Sequence, residues 1–449
     1  MFKRQILKDL NEWLNRPDKK PLIIRGARQV GKTSVVNMFS EKFKQYIYLN
    51  LENEEDKNLF ANNLPIDELT AAIFFHKRKK LYFENTLLFI DEIQNSAEAV
   101  QSLRYFYEDQ KQLSVIAAGS LFETHTNTQN NFPVGRVEYM VLRPFSFVEF
   151  LNAVNEKQSV NILQRVPTPD YAHDILLKLF KTYTLIGGMP EVVKNYVQTK
   201  DILRLNKTFE SLICSYLDDV EKYATNTNMR HVLRHIISNS FTQACKRIRF
   251  EGFGKSNYKS REMGEAFRLL EKTLLISLVY PSQTTNLPIE PDHKKSPRLQ
   301  WLDTGLVNFF AGLQIDIFTS EFIDNVYDGK IAEHIVYQEI LALKNSILYK
   351  PNFWTREKKD SAAEVDLVYQ FENKVIPIEI KSGATGRLRS LFEFIDVAPH
   401  NFAVRVSSNK LSVEKLKTIK GKEFNLLNLP FYLVSKLNEY LEWFINNKN

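Results

Sequence analysis

The residues Gly26-Ala27-Arg28-Gln29-Val30-Gly31-Lys32-Thr33 fit the spacing G-x-x-x-x-G-K-[ST] at every fixed position. Each choice has a reason in phosphate chemistry. Glycines let the backbone curl until its N–H groups point inward at phosphate oxygens, and a helix beginning near Lys32 presents its positive dipole end to the same anion. The Lys32 ammonium neutralises charge on the terminal phosphates. The Thr33 hydroxyl is a ligand for Mg²⁺, and Ser34 continues the first helical turn beside it. The stretch from Gly26 to Ser34 is therefore the expected cradle for ATP with Mg²⁺.

A second group follows at Leu87-Leu88-Phe89-Ile90-Asp91-Glu92. This is an apolar strand with Asp91 at its C-terminal end, where open α/β sheets place their ligands. Asp91 is expected to hold the Mg²⁺ through water, and Glu92 to polarise the attacking water. Beyond the next apolar strand comes Gly119-Ser120. Ser120 either senses the terminal phosphate or is a serine in a strand-to-helix turn. Arg136 either approaches a γ-phosphate, in this subunit or a neighbouring one, or is an ordinary surface arginine. Lys32, Glu92, Ser120 and Arg136 are thus the residues expected to act on the reaction.

Further along, Glu364-Val365-Asp366-Leu367-Val368-Tyr369 and Val375-Ile376-Pro377-Ile378-Glu379-Ile380-Lys381 read as the two strands of a hairpin. Strict alternation puts Val365, Leu367 and Tyr369 on one face and Glu364 and Asp366 on the other. Glu379 and Lys381 project opposite Ile376, Ile378 and Ile380. Paired in this way, Asp366, Glu379 and Lys381 converge. Two carboxylates for a second divalent ion and a lysine to assist the nucleophile are what metal-assisted phosphodiester hydrolysis requires. The pattern resembles the restriction-endonuclease-like, or PD-(D/E)xK, nuclease superfamily. Glu333, on a helix expected over 328–343, matches the acid that such folds bring to the site, and Gln338 follows it. The other reading is a solvated hairpin with an ordinary alternation of charges.

Positioning the phosphate chemistry calls for strands over 21–24, 46–51, 86–90 and 113–118, a helix over 33–43, and a further strand over 137–142 after the Asn- and Thr-rich loop 124–135. That β-then-α order implies a parallel sheet with helices on both faces. From Phe145 to about Lys222 the chain reads as helical, stopped at Gly187-Gly188-Met189-Pro190. More helices follow to about Gly312, with strands expected over 274–280 and 299–302, an order compatible with a winged helix. The expected fold class is α/β: a P-loop NTPase domain over 1–150, a helical lid or connector over 151–223, a winged-helix-like region over 224–315 and a nuclease-like α/β domain over 316–449. Within the third region Lys246, Arg247, Arg249, Lys255, Lys259 and Arg261 interleave with Phe250, Phe253 and Tyr258. This is either a nucleic-acid surface or a solvated basic loop beside a core.

Composition sets the outer limits. A chain of 449 residues exceeds what one core serves, and 44% hydrophobic with 25% charged residues is a globular balance that argues against general disorder. A net charge of +7 permits a polyanionic partner such as DNA without requiring one. Cys214 and Cys245 are the two cysteines, so neither a disulfide framework nor a cysteine-based zinc site is available. His76, His231, His235 and His334 form no ligand-like cluster. Lys3, Arg4, Lys8, Asp9 and Glu12 interrupt the first residues, so a signal peptide is not expected. No apolar stretch approaches the roughly 20 residues of a membrane helix. A soluble cytoplasmic protein is the resulting expectation.

The chain resembles the bacterial and archaeal AAA-type ATPases fused to a C-terminal domain of unknown function. The resemblance rests on Ile24 to Thr33, Phe89-Ile90-Asp91-Glu92-Ile93-Gln94, Ala118-Gly119-Ser120, Gly135-Arg136 and Leu142-Arg143-Pro144-Phe145-Ser146-Phe147. It continues through Gly187-Gly188-Met189-Pro190-Glu191 and Trp301-Leu302-Asp303-Thr304-Gly305-Leu306 to the C-terminal strands. It implies ATP and Mg²⁺ at the first site and a DNA or protein partner, with oligomerisation open. A second arginine motif of the kind that ring-forming AAA proteins carry in the lid is missing, which speaks against a closed hexameric ring. Three functions fit: an ATPase acting on DNA or another macromolecule, a metal-dependent nuclease regulated by ATP, and a nucleotide-switched binding protein without cleavage.

Overall fold

In the computed structural model, residues 2–62, 64–120, 133–224, 226–320, 329–358, 361–380 and 388–446 are described. Two compact units divide the chain. The first comprises Met1–Arg143, Lys272–Leu274 and Asn345–Leu348, and the second Pro144–Glu271, Leu275–Lys344 and Tyr349–Asn449.

The apolar runs of the first unit become β1 (Leu22–Arg25), β2 (Gln45–Asn50), β3 (Thr86–Asp91), β4 (Ser114–Gly119) and β5 (Glu138–Val141). They form an all-parallel sheet in the order β2-β3-β4-β1-β5. β1, β3 and β4 are buried along their whole length, which is why their sequences are continuous apolar runs rather than alternations. On one face Ile23, Ile47, Leu88, Ile90 and Val115 pack against Phe60, Ile73, Phe74, Leu103 and Phe106 of the flanking helices. The expected loop 124–135 falls largely outside the described residues.

The second unit opens with helices. The one over His173–Ile186 stops before Gly187, and the next begins at Pro190, as the Gly-Gly-Met-Pro sequence requires. Gly187 has φ +74°, and a Cβ there would lie 2.1 Å from Asp303 Oδ1. Three helices, Asn206–Tyr223, Thr227–Ser240 and Ser260–Lys272, precede a two-stranded antiparallel sheet of β6 (Ile276–Val279) and β8 (Arg298–Trp301). Between these lies the short β7 (Pro281–Ser282). A mixed seven-stranded sheet follows, built from β7, β9 (Asn352–Lys358), β10 (Ser361–Phe371), β11 (Lys374–Ile380), β12 (Phe402–Ser407), β13 (Ser412–Lys417) and β14 (Glu423–Pro430), in the order β13-β14-β12-β11-β10-β9-β7. No described helix is long and apolar enough to cross a membrane. Cys245 is buried and Cys214 exposed.

One expectation for this sheet is corrected. β10 and β11 do pair as an antiparallel hairpin, with Leu367 opposite Ile378 and Tyr369 opposite Ile376. The register of β10 on β9, however, shifts between Val365 and Val368. Val365 and Val368 therefore both enter the core against the helix Arg389–Val397, where strict alternation would send them to opposite faces. An irregularity of this kind re-aims side chains locally, so Val365 does not share a face with Leu367 and Tyr369.

Four segments of the second unit meet in a buried polar junction. The Tyr183 hydroxyl donates to Glu339 Oε1 at 2.6 Å, and the Phe147 N–H donates to the same oxygen at 3.0 Å. Gln338 Nε2 donates to Tyr183 at 3.1 Å and to Asp303 Oδ2 at 3.3 Å, while the Gly188 N–H reaches that oxygen at 2.6 Å. Burial pushes the Glu339 carboxyl up to about 8 and the Asp303 carboxyl up to about 6. The folded state thus keeps protons that the unfolded chain releases, so stability falls as pH rises through these values. Between pH 6 and pH 8 the Glu339 contribution is expected to approach 1 kcal/mol per pH unit, to order of magnitude. Glu339→Gln should flatten that part of the profile in urea unfolding. An unchanged slope would refute the assignment.

Candidate nucleotide site

The first unit brings the residues expected to bind phosphate together at the C-terminal edge of its sheet. The loop 26–31 leaves the end of β1 and leads into the helix Lys32–Ser40. Gly26 is needed for a close approach, since a Cβ there would sit 2.5 Å from the Leu142 carbonyl oxygen and 2.9 Å from Val30 Cγ2. Arg4 is buried and braces the loop by donating to the Val30 carbonyl at 3.0 Å. Lys32 Nζ donates to the carbonyls of Gly26 at 3.0 Å and Ala27 at 3.2 Å, which holds the ammonium against the loop. Ala27 and Val30 are buried, Arg28 is half-buried and pairs with Glu52, and Gln29 and Ser34 are exposed.

β3 ends in Asp91, two strands from β1 with β4 between them. The Thr33 hydroxyl nevertheless donates to Asp91 Oδ2 at 2.6 Å, and the Tyr48 hydroxyl lies 3.4 Å from the same oxygen. Burial raises the Asp91 carboxyl above its ordinary range, the Thr33 hydrogen bond pulls it down, nearby Glu92 raises it and Lys32 lowers it. The adjacent Thr33 hydroxyl and Asp91 carboxylate are hard oxygen donors of the kind Mg²⁺ takes, so the residues fit that ion. Glu92 follows with φ 52° and ψ 42°, a left-handed conformation uncommon for a glutamate, and Gln94 Nε2 donates to its Oε2 at 2.5 Å. Ser120 is buried directly after β4. Arg4, Tyr48 and Gln94 were not expected here as site residues. Only Gln94 had a local signal, its place just beyond the acidic pair.

Arg136 does not join this group. It precedes β5, whose first residue Glu138 pairs with Leu22 at the start of β1, so the two strands run away from it toward the loop. That separates Arg136 from the loop by more than about 10 Å along the strands. Its guanidinium pairs instead with Glu108 at 3.0 Å. An approach to a γ-phosphate within the same subunit is therefore corrected.

In the second unit, Glu333 and Asp366 do come together, but around an arginine. Arg298 Nη1 lies 3.2 Å from Glu333 Oε2, and Arg298 Nη2 lies 3.4 Å from Asp366 Oδ1. The same guanidinium pairs with Glu364 and sits over the Phe353 ring, 4.6 Å from its centroid. Arg247 reaches Glu364 at 2.7 Å, and Lys330 reaches Glu333 at 2.5 Å. Asp366 Oδ2 accepts from the Ile380 N–H at 2.9 Å. Burial and the Asp366 carboxylate raise the Glu333 carboxyl, against Arg298 and Lys330. Glu379 is buried. Lys381 lies outside the described residues. Among the described residues no set of three or more His, Cys, Asp and Glu is arranged to hold a metal ion.

Comparison with known proteins agrees with the first site. Residues 18–151 match the family model of an AAA domain. Two domains of unknown function match further on, DUF8612 over residues 177–316 and DUF4143 over residues 328–432. Solved structures that are similar include the Walker-type ATPase of Pyrococcus abyssi, at 17% identity and TM-score 0.44, covering 69% of this chain and 96% of that one. RuvB of Thermotoga maritima follows at 13% identity and TM-score 0.27, covering 65% and 93%. The Aeropyrum pernix ORC1 protein, solved in complex with DNA, shows 11% identity and TM-score 0.28, covering 70% and 93%. No curated protein matches. The glycine loop, the Thr33–Asp91 contact and the family match agree in likening residues 18–151 to an AAA domain of the P-loop kind.

Proposed function

We propose that this protein hydrolyses ATP in the cytoplasm and uses the nucleotide state of its AAA domain to control its second unit, which acts on DNA. The observation that carries the hydrolytic part is the Thr33–Asp91 contact with Glu92 next in sequence. In this reading Gly26 to Ser34 wrap the phosphates, Lys32 neutralises their charge, and Thr33 and Asp91 hold Mg²⁺. The ion supplies charge neutralisation when bound. Glu92 takes a proton from the attacking water, with its carboxylate aimed by Gln94, and Ser120 reads the terminal phosphate. Arg136 is left a role only toward a neighbouring subunit's site. The second unit is read as a helical connector over 151–223, a winged-helix-like region over 224–315 and a nuclease-like domain over 316–449.

Within that last domain the presence of Arg298 among Glu333, Glu364 and Asp366 favours binding without cleavage, because a guanidinium already balances the acids. The competing reading has Glu333, Asp366 and Glu379 hold a second divalent ion beside Lys381. Plasmid nicking with Mn²⁺ that disappears in Asp366→Ala would establish it over ours. For the ATPase, Lys32→Ala is expected to weaken ATP binding roughly 10- to 100-fold, the worth of a hydrogen bond to a charged group. Nucleotide titration with a parallel thermal melt checks it. Parental affinity in a folded variant would refute the phosphate-loop assignment.

A further inference from the structure

The basic segment of the second unit is packed in place by its aromatic residues and leaves Arg249, Lys255 and Lys259 exposed. Its aromatic residues face the core. Phe250 stacks on Phe267 with ring centroids 5.2 Å apart, Phe253 meets the same ring edge-on at 5.0 Å, and Tyr258 packs against His235 at 5.5 Å. His235 Nε2 also lies 2.9 Å from the Phe253 carbonyl oxygen. The segment is thereby pinned between the helices Thr227–Ser240 and Ser260–Lys272. Asn228 Nδ2 donates to Glu262 Oε1 at 3.1 Å, which sets the beginnings of the two helices side by side.

The second helix buries Met263, Ala266, Phe267 and Leu270 and exposes Arg261, Glu265 and Arg268, which recur at helical spacing on one face. Arg230 is exposed one turn into the first helix, and Arg249, Lys255 and Lys259 are exposed on the segment between. None of these six cations has an ion-pair partner among the described residues. The neighbouring acids are partly engaged: Glu262 accepts from the Lys259 N–H and from Asn228, and Glu271 accepts from the Leu278 N–H and pairs with Lys350. Glu251 and Glu265 are the exposed acids of the surface.

From this arrangement we infer that the paired helices and the basic segment form a surface for the phosphate backbone of duplex DNA, a statement that rests on the DNA reading above and gives it a site. Unpaired cations spread over two adjoining helices and a pinned segment suit a track of phosphates. The aromatic rings are what decide between duplex and single strand. A single-strand surface offers exposed rings on which bases stack, and here Phe250, Phe253 and Tyr258 are spent on holding the segment in place.

The test measures binding of the full chain to a mixed-sequence DNA duplex and to the matching single strand over a range of salt concentrations. Each phosphate contact contributes about −0.9 to the slope of log affinity against log salt. The double variant Lys259→Ala/Arg261→Ala should therefore shallow the slope by about 2 and lose roughly tenfold or more at low salt. Arg230→Glu, on the other helix, should weaken binding as well. Thermal melting confirms that each variant remains folded, as expected for exposed side chains. Parental affinity and slope in all variants would overturn this surface while leaving the DNA reading standing. Absence of duplex binding by the parent would overturn both, and tighter binding of the single strand would overturn the duplex assignment.

Discussion

Glu92→Gln is expected to leave ATP bound and lower its turnover by about 10²- to 10⁴-fold, the range that a positioned general base supplies. Glutamine preserves the size of the side chain and an oxygen acceptor, but its amide cannot take a proton from water. The surroundings of Glu92 suit such a role. Its backbone is held in the left-handed region immediately after Asp91, and its N–H donates to Asp91 Oδ1 at 3.1 Å. The carboxylate is therefore fixed relative to the pair Thr33 and Asp91, and Gln94 aims it from the other side. Single-turnover measurement of phosphate release, alongside nucleotide affinity, separates the chemical step from binding. Parental turnover in the variant would remove Glu92 from the mechanism. Loss of binding with loss of turnover would instead mean that the substitution had disturbed the Asp91 corner.

The candidate nucleotide site is legible in the sequence because local backbone geometry builds most of it. The phosphate loop needs glycine, lysine and threonine at fixed intervals, and β3 announces itself as an apolar run ending in Asp91 and Glu92. The position of Arg136 could not be read in this way. It depends on β5 pairing with β1 in parallel, which sends the residues before β5 to the edge away from the loop. In the second unit the hairpin of β10 and β11 was legible from its two apolar strands. The register shift in β10 was not, since it arises against β9, whose sequence Asn352–Lys358 carries little apolar alternation. Arg298 was the least legible of all. Its carboxylate partners stand 35, 66 and 68 residues away, and nothing local marks a buried strand arginine as a counter-ion.

Removing that guanidinium should have the largest effect on stability. Arg298→Ala is expected to cost about 3–5 kcal/mol, because truncating one side of a buried ion cluster leaves like charges unpaired. Arg298 is itself buried, and burial works against its charge. The carboxylates of Glu333, Asp366 and Glu364 outweigh that and raise its pKa further above the usual arginine value. Without it, Lys330 still faces Glu333 and Arg247 still faces Glu364, but Asp366 loses its guanidinium contact. Glu333 already binds its proton more tightly in the folded state than in the unfolded chain, so the variant would raise that affinity further. The sign of the pH dependence follows. At low pH Glu333 is protonated and the missing cation matters less, while the deficit grows as pH rises and the Glu333 carboxylate forms. Urea unfolding of parent and variant at about pH 5 and about pH 8 should therefore show the larger difference at the higher pH. Adding Glu333→Gln to Arg298→Ala should recover part of the loss there, since it removes one of the uncompensated charges. A deficit equal at both pH values and untouched by the second substitution would mean that Arg298 serves the fold through its packing on Phe353 alone.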